Sequence, residues 1–237
     1  MAQQMIKSTI EKILTEELRE IWMLLSNEEK RLLIDNFSVH HYKKNKIVYA
    51  EGDEPEYLWA LIDGKVKKYK DGIGGRVQII RLINPGQYFG YRAYFAREHY
   101  VSSAATLEES VLGTLPMHLV EEMISKNNRL AMFFIHDLSH NLGNSDTKIV
   151  NLTQKHIRAR LAEALLVLRD NYGYEEDDNM TLKIYMARED LANLSNMTTS
   201  NAIRTLSNFG SEKLLVVDGR KIKILNEPQL RKISKFG

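Results

Sequence analysis

The 237-residue chain contains no cysteine. Disulfides, thiolate nucleophiles, cysteine-held iron–sulfur clusters and all-cysteine zinc sites are therefore excluded together. Only four prolines and 13 glycines occur, too few for a collagen-like or low-complexity chain. No run of 18 apolar residues is present, so no segment is expected to cross a membrane as a helix. The first residues, MAQQMIKSTIEKIL, lack the basic stretch and apolar core of a secretory signal, and a cytoplasmic protein is the expectation. No serine, histidine and carboxylate grouping has a catalytic spacing, so an enzyme is not expected. Nor is there an excess of one charge: 33 Lys and Arg stand against 31 Asp and Glu, a net charge of +2.

What is present suffices for a core. Hydrophobic residues make up 43% and charged residues 27%, and the length suits one or two domains. The charge is uneven. Residues 153–237 hold 14 Lys and Arg against 11 Asp and Glu, four of the acids in the run Glu175–Asp178. A mildly basic C-terminal part fits nucleic-acid binding.

Periodicity divides the chain into three stretches. Over residues 6–36 the apolar positions fall at helical spacing, and Ser26-Asn-Glu-Glu29 has the form of a capping box. From about 39 to 116 short apolar runs alternate with turns at Gly52-Asp53, Asp63-Gly64, Asp71–Gly75 and Asn84-Pro85-Gly86. Many short strands separated in this way predict a barrel or a double-sheet roll. Helical spacing then returns. Ala131, Ile135, Leu138, Leu142, Ser145, Ile149 and Leu152 follow a 4-3 repeat, a seam suited to burial against a second copy. The plainer alternative is packing on its own domain.

Past a boundary near 153–156 the pattern is that of a winged helix-turn-helix. Glu189–Leu194 reads as a short helix and Ser195-Asn196-Met197 as a tight turn, with Asn196 able to adopt the left-handed conformation. Thr198 is a good N-cap for a second helix. On that helix Ala202, Ile203 and Leu206 are expected to face inward. Asp218-Gly219, between two short strands, forms the wing, and Thr181–Tyr185 is expected to add another short strand. Arg204 can donate twice to a guanine edge, and Asn201 can pair with adenine. Ser200 joins them in base readout, while Arg188, Thr198, Thr199 and Lys221 position the phosphate backbone.

From about Leu24 to Leu225 the sequence resembles the CRP/FNR family of bacterial transcription regulators. The resemblance rests on Glu51-Gly52-Asp53-Glu54-Pro55, on Leu58 to Val66, on Pro85-Gly86-Gln87-Tyr88-Phe89-Gly90, and on Arg160-Leu161-Ala162 followed by Leu165, Leu166 and Leu168. It implies an α+β protein with a cyclic-nucleotide-binding-like β-roll (1–128), a long dimerisation helix (129–153) and a winged helix-turn-helix (154–237). It also implies a homodimer on a palindromic operator, RNA polymerase as a partner, and an effector in the roll.

The family's nucleotide pocket implies Gly90, Tyr91, Arg92, Arg97, Glu98, Ser102, Ser103, Ser145 and Asp146 as effector-pocket candidates. Several depart from its pattern. Tyr91 and Arg92 follow Gly90 where a ribose-binding glutamate is usual. Glu98 falls near the phosphate-binding arginine position, beside Arg97. Ser145-Asp146 replaces a Thr-Ser pair. An effector other than cyclic AMP is the expectation. Haem stays open as a cofactor, although no ligand pair stands out. In the recognition helix only Arg204 persists from the common Arg-Glu-x-x-x-Arg pattern, and Ser200 replaces its glutamate, so a different half-site is expected. The rival reading is a small-molecule or haem sensor that acts through protein partners and carries a vestigial DNA module.

Other groupings have plainer readings. His136 and His140 have metal-ligand spacing but read as surface or packing residues. Gly72-Ile73-Gly74-Gly75 reads as a hairpin tip and Glu175–Asp178 as a solvated loop.

Overall fold

A computed structural model describes residues 2–236. The protein is α+β. The chain divides into two compact units. One is built from the residues up to Lys70 together with Ile80–Leu142, the other from Asp71–Ile79 together with the residues from Gly143 on.

The first unit opens with α1 (Ala2–Glu16), α2 (Arg19–Trp22) and α3 (Asn27–Asn36). The expected capping box starts α3: Glu29 N–H donates to Ser26 Oγ at 3.2 Å, and Ser26 N–H donates to Glu29 Oε2 at 2.7 Å. Ile10, Leu14, Leu18, Ile21, Trp22 and Leu25 are buried in one cluster with Leu58, Ala60 and Leu115. The N-terminal helices thus cover their own roll.

The strands are β1 (Ser38–Tyr42), β2 (Ile47–Tyr49), β3 (Tyr57–Asp63), β4 (Val66–Asp71), β5 (Val77–Ile83), β6 (Tyr88–Phe89), β7 (Ser103–Thr106) and β8 (Ser110–Pro116). Helix α4 (Tyr91–Ala96) lies between β6 and β7. The strands form two four-stranded sheets, in the orders β1-β8-β3-β6 and β2-β7-β4-β5. The glycines between β4 and β5 form a tip with a single 3₁₀ turn, as expected.

Strand β3 explains the layering. Side chains alternate along a strand, and here both faces are buried. Leu58, Ala60 and Ile62 face the helices. Trp59 and Leu61 face the interior of the roll, with Tyr49, Val66, Ile83, Phe89, Tyr100 and Ala104. Two buried layers therefore share one strand.

Gly113 in β8 shows how tight the outer layer is. An added Cβ would stand 2.0 Å from Phe37 Cζ. Gly113→Ala is expected to destabilise the protein by about 1–3 kcal/mol, because the Phe37 ring must move within a packed layer. Thermal or urea unfolding checks this.

Helix α5 (Met117–Lys126) leads into the 27-residue α6 (Asn128–Gln154). Along α6 the predicted seam is divided. Ile135, Leu142 and Ile149 are 53%, 64% and 61% exposed, and Met132 and Val150 are exposed beside them. Ser145 is exposed as well, and Ala131 and Leu152 are half-buried. Leu138 instead packs on its own domain, in the cluster with Phe134.

The second unit continues with α7 (Ile157–Tyr172), α8 (Arg188–Leu194), α9 (Thr199–Ser211), the hairpin β9 (Leu215–Asp218) and β10 (Lys221–Ile224), and α10 (Glu227–Phe236). Glu163 on α7 accepts from Asn151 Nδ2 at 2.6 Å and Lys155 Nζ at 3.1 Å, tying the end of α6 to α7. Leu161, Leu165, Leu191, Phe209, Leu215 and Leu230 are almost wholly buried.

The short strand expected at Thr181–Tyr185 does not form. Only isolated bridges link Tyr174 to Leu182 and Thr181 to Lys223. Leu182 N–H donates to the Ile222 carbonyl, but Lys183 N–H turns away to Gly173, so no ladder builds. Asp178, expected in a solvated loop, organises this turn. Its carboxylate accepts from Thr181 N–H at 2.8 Å, Met180 N–H at 3.0 Å and Thr181 Oγ1 at 2.7 Å, and pairs with Lys223 at 3.1 Å. Those hydrogen bonds hold its pKa far below the usual carboxylate range.

Candidate functional site: a nucleic-acid interface and a filled β-roll

Helices α8 and α9 are joined by the predicted turn. Asn196 has φ +51°, the left-handed conformation, and buried Ser195 donates from Oγ to the Leu191 carbonyl at 2.7 Å. Thr198 caps α9 by accepting from Asn201 N–H at 3.3 Å.

The inward face of α9 is Ala202, Thr205, Leu206 and Phe209, at i, i+3, i+4 and i+7 spacing. Ile203, expected to face inward, is instead 51% exposed. It is one position past Ala202, and a step of about 100° per residue carries it off the buried stripe. Phe209 takes the core role that Ile203 lacks. Thr198, Thr199, Ser200, Ile203 and Arg204 are exposed together, and Asn201 is partly exposed.

Arg204 is held in place. Its Nη2 donates to Asn201 Oδ1 at 2.9 Å, one helical turn back. Arg204 is exposed, so its remaining guanidinium donors are accessible to a base edge or a phosphate. The pairing also occupies the Asn201 carbonyl oxygen and leaves its NH₂ group to donate.

Arg188, at the start of α8, donates from Nη2 to the Gly219 carbonyl. It therefore fixes the wing tip against the helix-turn-helix. Lys221, on the wing, is exposed and lies 5.7 Å from the centre of the Tyr185 ring. The back of α9 is clamped by Arg158. Its two terminal nitrogens bind the two oxygens of Glu212, and its guanidinium sits 4.8 Å from the Phe209 ring centre. Sequence reasoning missed this clamp, because 54 residues separate its members.

The effector-pocket candidates are only partly brought together. Gly90 has φ +90°, and a Cβ there would stand 2.8 Å from Trp59 Cδ1, so the position requires glycine. Tyr91 is buried and donates to Asp137 Oδ2. Burial first, and then this carboxylate, raise its pKa. Arg92 Nη2 donates to Glu98 Oε2 at 3.0 Å, so the carboxylate at the family's phosphate position is already engaged. Arg97 is exposed, with φ +56° at the end of α4. Ser102 and Ser103 are buried, and Ser103 Oγ accepts from Glu51 N–H at 2.9 Å. Ser145 and Asp146 are exposed on α6.

Aromatic rings fill the interior of the roll. Tyr49 and Tyr100 stack with centroids 3.8 Å apart, and Trp59 lies 6.3 Å from Phe89 and 6.5 Å from Tyr49. Each ring is recognisable in the sequence. Their meeting is not, since Tyr49 and Tyr100 come from opposite ends of the roll segment. Among the described residues no helix is long and apolar enough to cross a membrane, and no group of three or more His, Cys, Asp or Glu could hold a metal ion.

Comparison with known proteins places both halves. Residues 39–127 match the model of the cyclic nucleotide-binding domain, and residues 159–233 match that of the Crp-like helix-turn-helix domain. The fumarate and nitrate reduction regulatory protein of Vibrio cholerae is 26% identical over 192 residues, which are 81% of this chain and 76% of that protein. The CRP-like cAMP-activated global transcriptional regulator of Mycobacterium tuberculosis is 21% identical over 82% of this chain and 87% of its own. Among solved structures, FixK2 from Bradyrhizobium japonicum superposes with a TM-score of 0.75 at 21% identity. That match covers 83% of this chain and 96% of the other.

Proposed function

The chain belongs to the CRP/FNR family of DNA-binding transcription regulators, and from that premise we propose that it acts as a homodimer on a palindromic operator, controlled by an effector other than cyclic AMP. It is a regulator and not an enzyme, as its relatives are. What carries the reading is the outer face of α9: Thr199, Ser200 and Arg204 are exposed, and Asn201 orients Arg204 for contact.

In this reading Arg204, Asn201 and Ser200 read bases. Thr198, Thr199 and Lys221 position the phosphate backbone, and Arg188 sets the wing that carries Lys221. Ile135, Leu142 and Ile149 form the contact between two copies. The Asn151–His156 segment sets the spacing of two recognition helices, which must lie about one turn of DNA apart. RNA polymerase is the partner in the cytoplasm.

The roll does not suit cyclic AMP. Tyr91 stands where a carboxylate would take the ribose hydroxyl, Glu98 would face the phosphate, and aromatic rings occupy the interior. Of the two named relatives, one carries cAMP activation in its name and the other does not.

Selection from a pool of random duplexes at two salt concentrations tests the proposal. A symmetric consensus that survives the higher salt is the expected result. Salt-sensitive binding with no enriched sequence would favour a vestigial DNA module acting through protein partners.

A further inference from the structure

The inner face of the roll carries positive charge that its fold does not neutralise. In the register of β2, β7 and β4, Tyr49 and Lys68 both stand opposite Ala104. Directly opposed residues share a face of a sheet, so the three form a row across it. Ala104 and Tyr49 belong to the buried interior, which sets the face on which Lys68 lies. Lys68 is also two residues past Val66, which is wholly buried inside the roll. On the neighbouring strand β5, Arg81 is two residues before Ile83, another fully buried interior residue. Arg92, in the first turn of α4, adds a third cation.

Among the described residues neither the Lys68 nor the Arg81 side chain has a hydrogen-bond or carboxylate partner, and both residues are at most partly exposed. Arg92 alone has one, Glu98. Three cations thus face one acid. Burial, and then the Arg92 and Arg81 guanidinium groups, push the Lys68 ammonium down to about 8. Unpaired cations gathered in a part-buried place are costly unless something of opposite sign joins them.

We infer that Lys68, Arg81 and Arg92 form the binding site of a compact dianion, a phosphate group or a short dicarboxylate. Ala104 projects only a methyl group between Tyr49 and Lys68. Two guanidinium groups offer paired donors to a planar or tetrahedral anion, and the ammonium adds a point charge. The excess of two positive charges matches a dianion better than the single charge of a cyclic phosphodiester. The stacked Tyr49 and Tyr100 rings leave the interior filled, which favours a ligand without a large base. This inference deepens the proposed effector control and rests on it: Arg92 is one of the effector-pocket candidates, and Lys68 and Arg81 join it from the neighbouring strands.

Calorimetry and thermal unfolding of the full-length protein test it, with inorganic phosphate, succinate and cyclic AMP at constant ionic strength. Saturable binding of phosphate or succinate at one per chain is expected, with a raised Tm, and cyclic AMP should not compete. The phosphate and succinate arms separate the two sources of the dianion. Lys68→Met and Arg81→Gln should each weaken binding at least tenfold. Both variants should stay folded, since each removes an unpaired cation. If neither dianion binds saturably, or if both variants bind as the parent does, the site is refuted. DNA binding is read separately on the same samples. A dianion that binds without changing DNA affinity keeps the site but removes effector control. Specific DNA binding without a saturable dianion removes the site and leaves the regulator.

Discussion

Leu142→Glu is expected to turn the proposed dimer into monomers and to lower affinity for the proposed operator by about 10²–10⁴-fold. Leu142 is 64% exposed, between the similarly exposed Ile135 and Ile149 on α6. Covering side chains of this kind is worth about 1.5–3 kcal/mol each when burial is complete. In a two-fold interface each such residue counts twice, so a few of them decide assembly. A glutamate at the centre would face its own copy, and two like charges would have to be desolvated together. The effect on DNA follows from linkage. One half-site contact is weak, and the second becomes intramolecular only if the two chains are joined. Sedimentation velocity and fluorescence anisotropy with labelled operator check both parts. Retained dimers with unchanged affinity would mean that α6 meets no second copy through this face.

Arg204→Ala should abolish preference at one base position in each half-site. A bidentate contact is worth about 1–3 kcal/mol of discrimination, so two half-sites lose about 2–6 kcal/mol on the preferred sequence. Non-specific DNA should lose much less, because only phosphate attraction is reduced there. Asn201→Ala is the informative companion. It keeps the Arg204 charge but removes the oxygen that holds the guanidinium at 2.9 Å. Its specific affinity should fall while its non-specific affinity holds. Equal weakening on every sequence in both variants would place Arg204 on the backbone and not on a base edge.

Much of this architecture could be read directly from the chain. The capping box at Ser26, the left-handed Asn196 and the Thr198 cap are local devices, and local physics determines them. The tip at Gly72–Gly75 and the hairpin at Asp218-Gly219 are local too. The errors lay where partners are distant or phase matters. Ile203 is apolar and sits beside Ala202, but helix phase, not polarity, decides which residue turns inward. Leu138 fits a heptad seam, yet its own domain offers Phe134 and its neighbours as a closer apolar surface. At Lys67-Lys68-Tyr69-Lys70 the inward lysine depends on register, which only the pairing of Lys68 with Ala104 settles. The Tyr49–Tyr100 stack likewise needed the closed roll before it existed.

The two buried layers that meet along β3 also give the molecule two optical reporters. The chain has only two tryptophans. Trp22 lies in the helical layer, with the Lys30 ammonium 5.0 Å from its ring centre. Trp59 lies in the roll interior, among tyrosines that can pass excitation energy to it. Opening the N-terminal helices should shift emission from the first, and disturbing the roll interior should shift emission from the second. The winged helix-turn-helix has no tryptophan, so its encounter with DNA is spectrally silent unless the roll responds. Trp22→Phe and Trp59→Phe would therefore give each layer its own readout without any added dye.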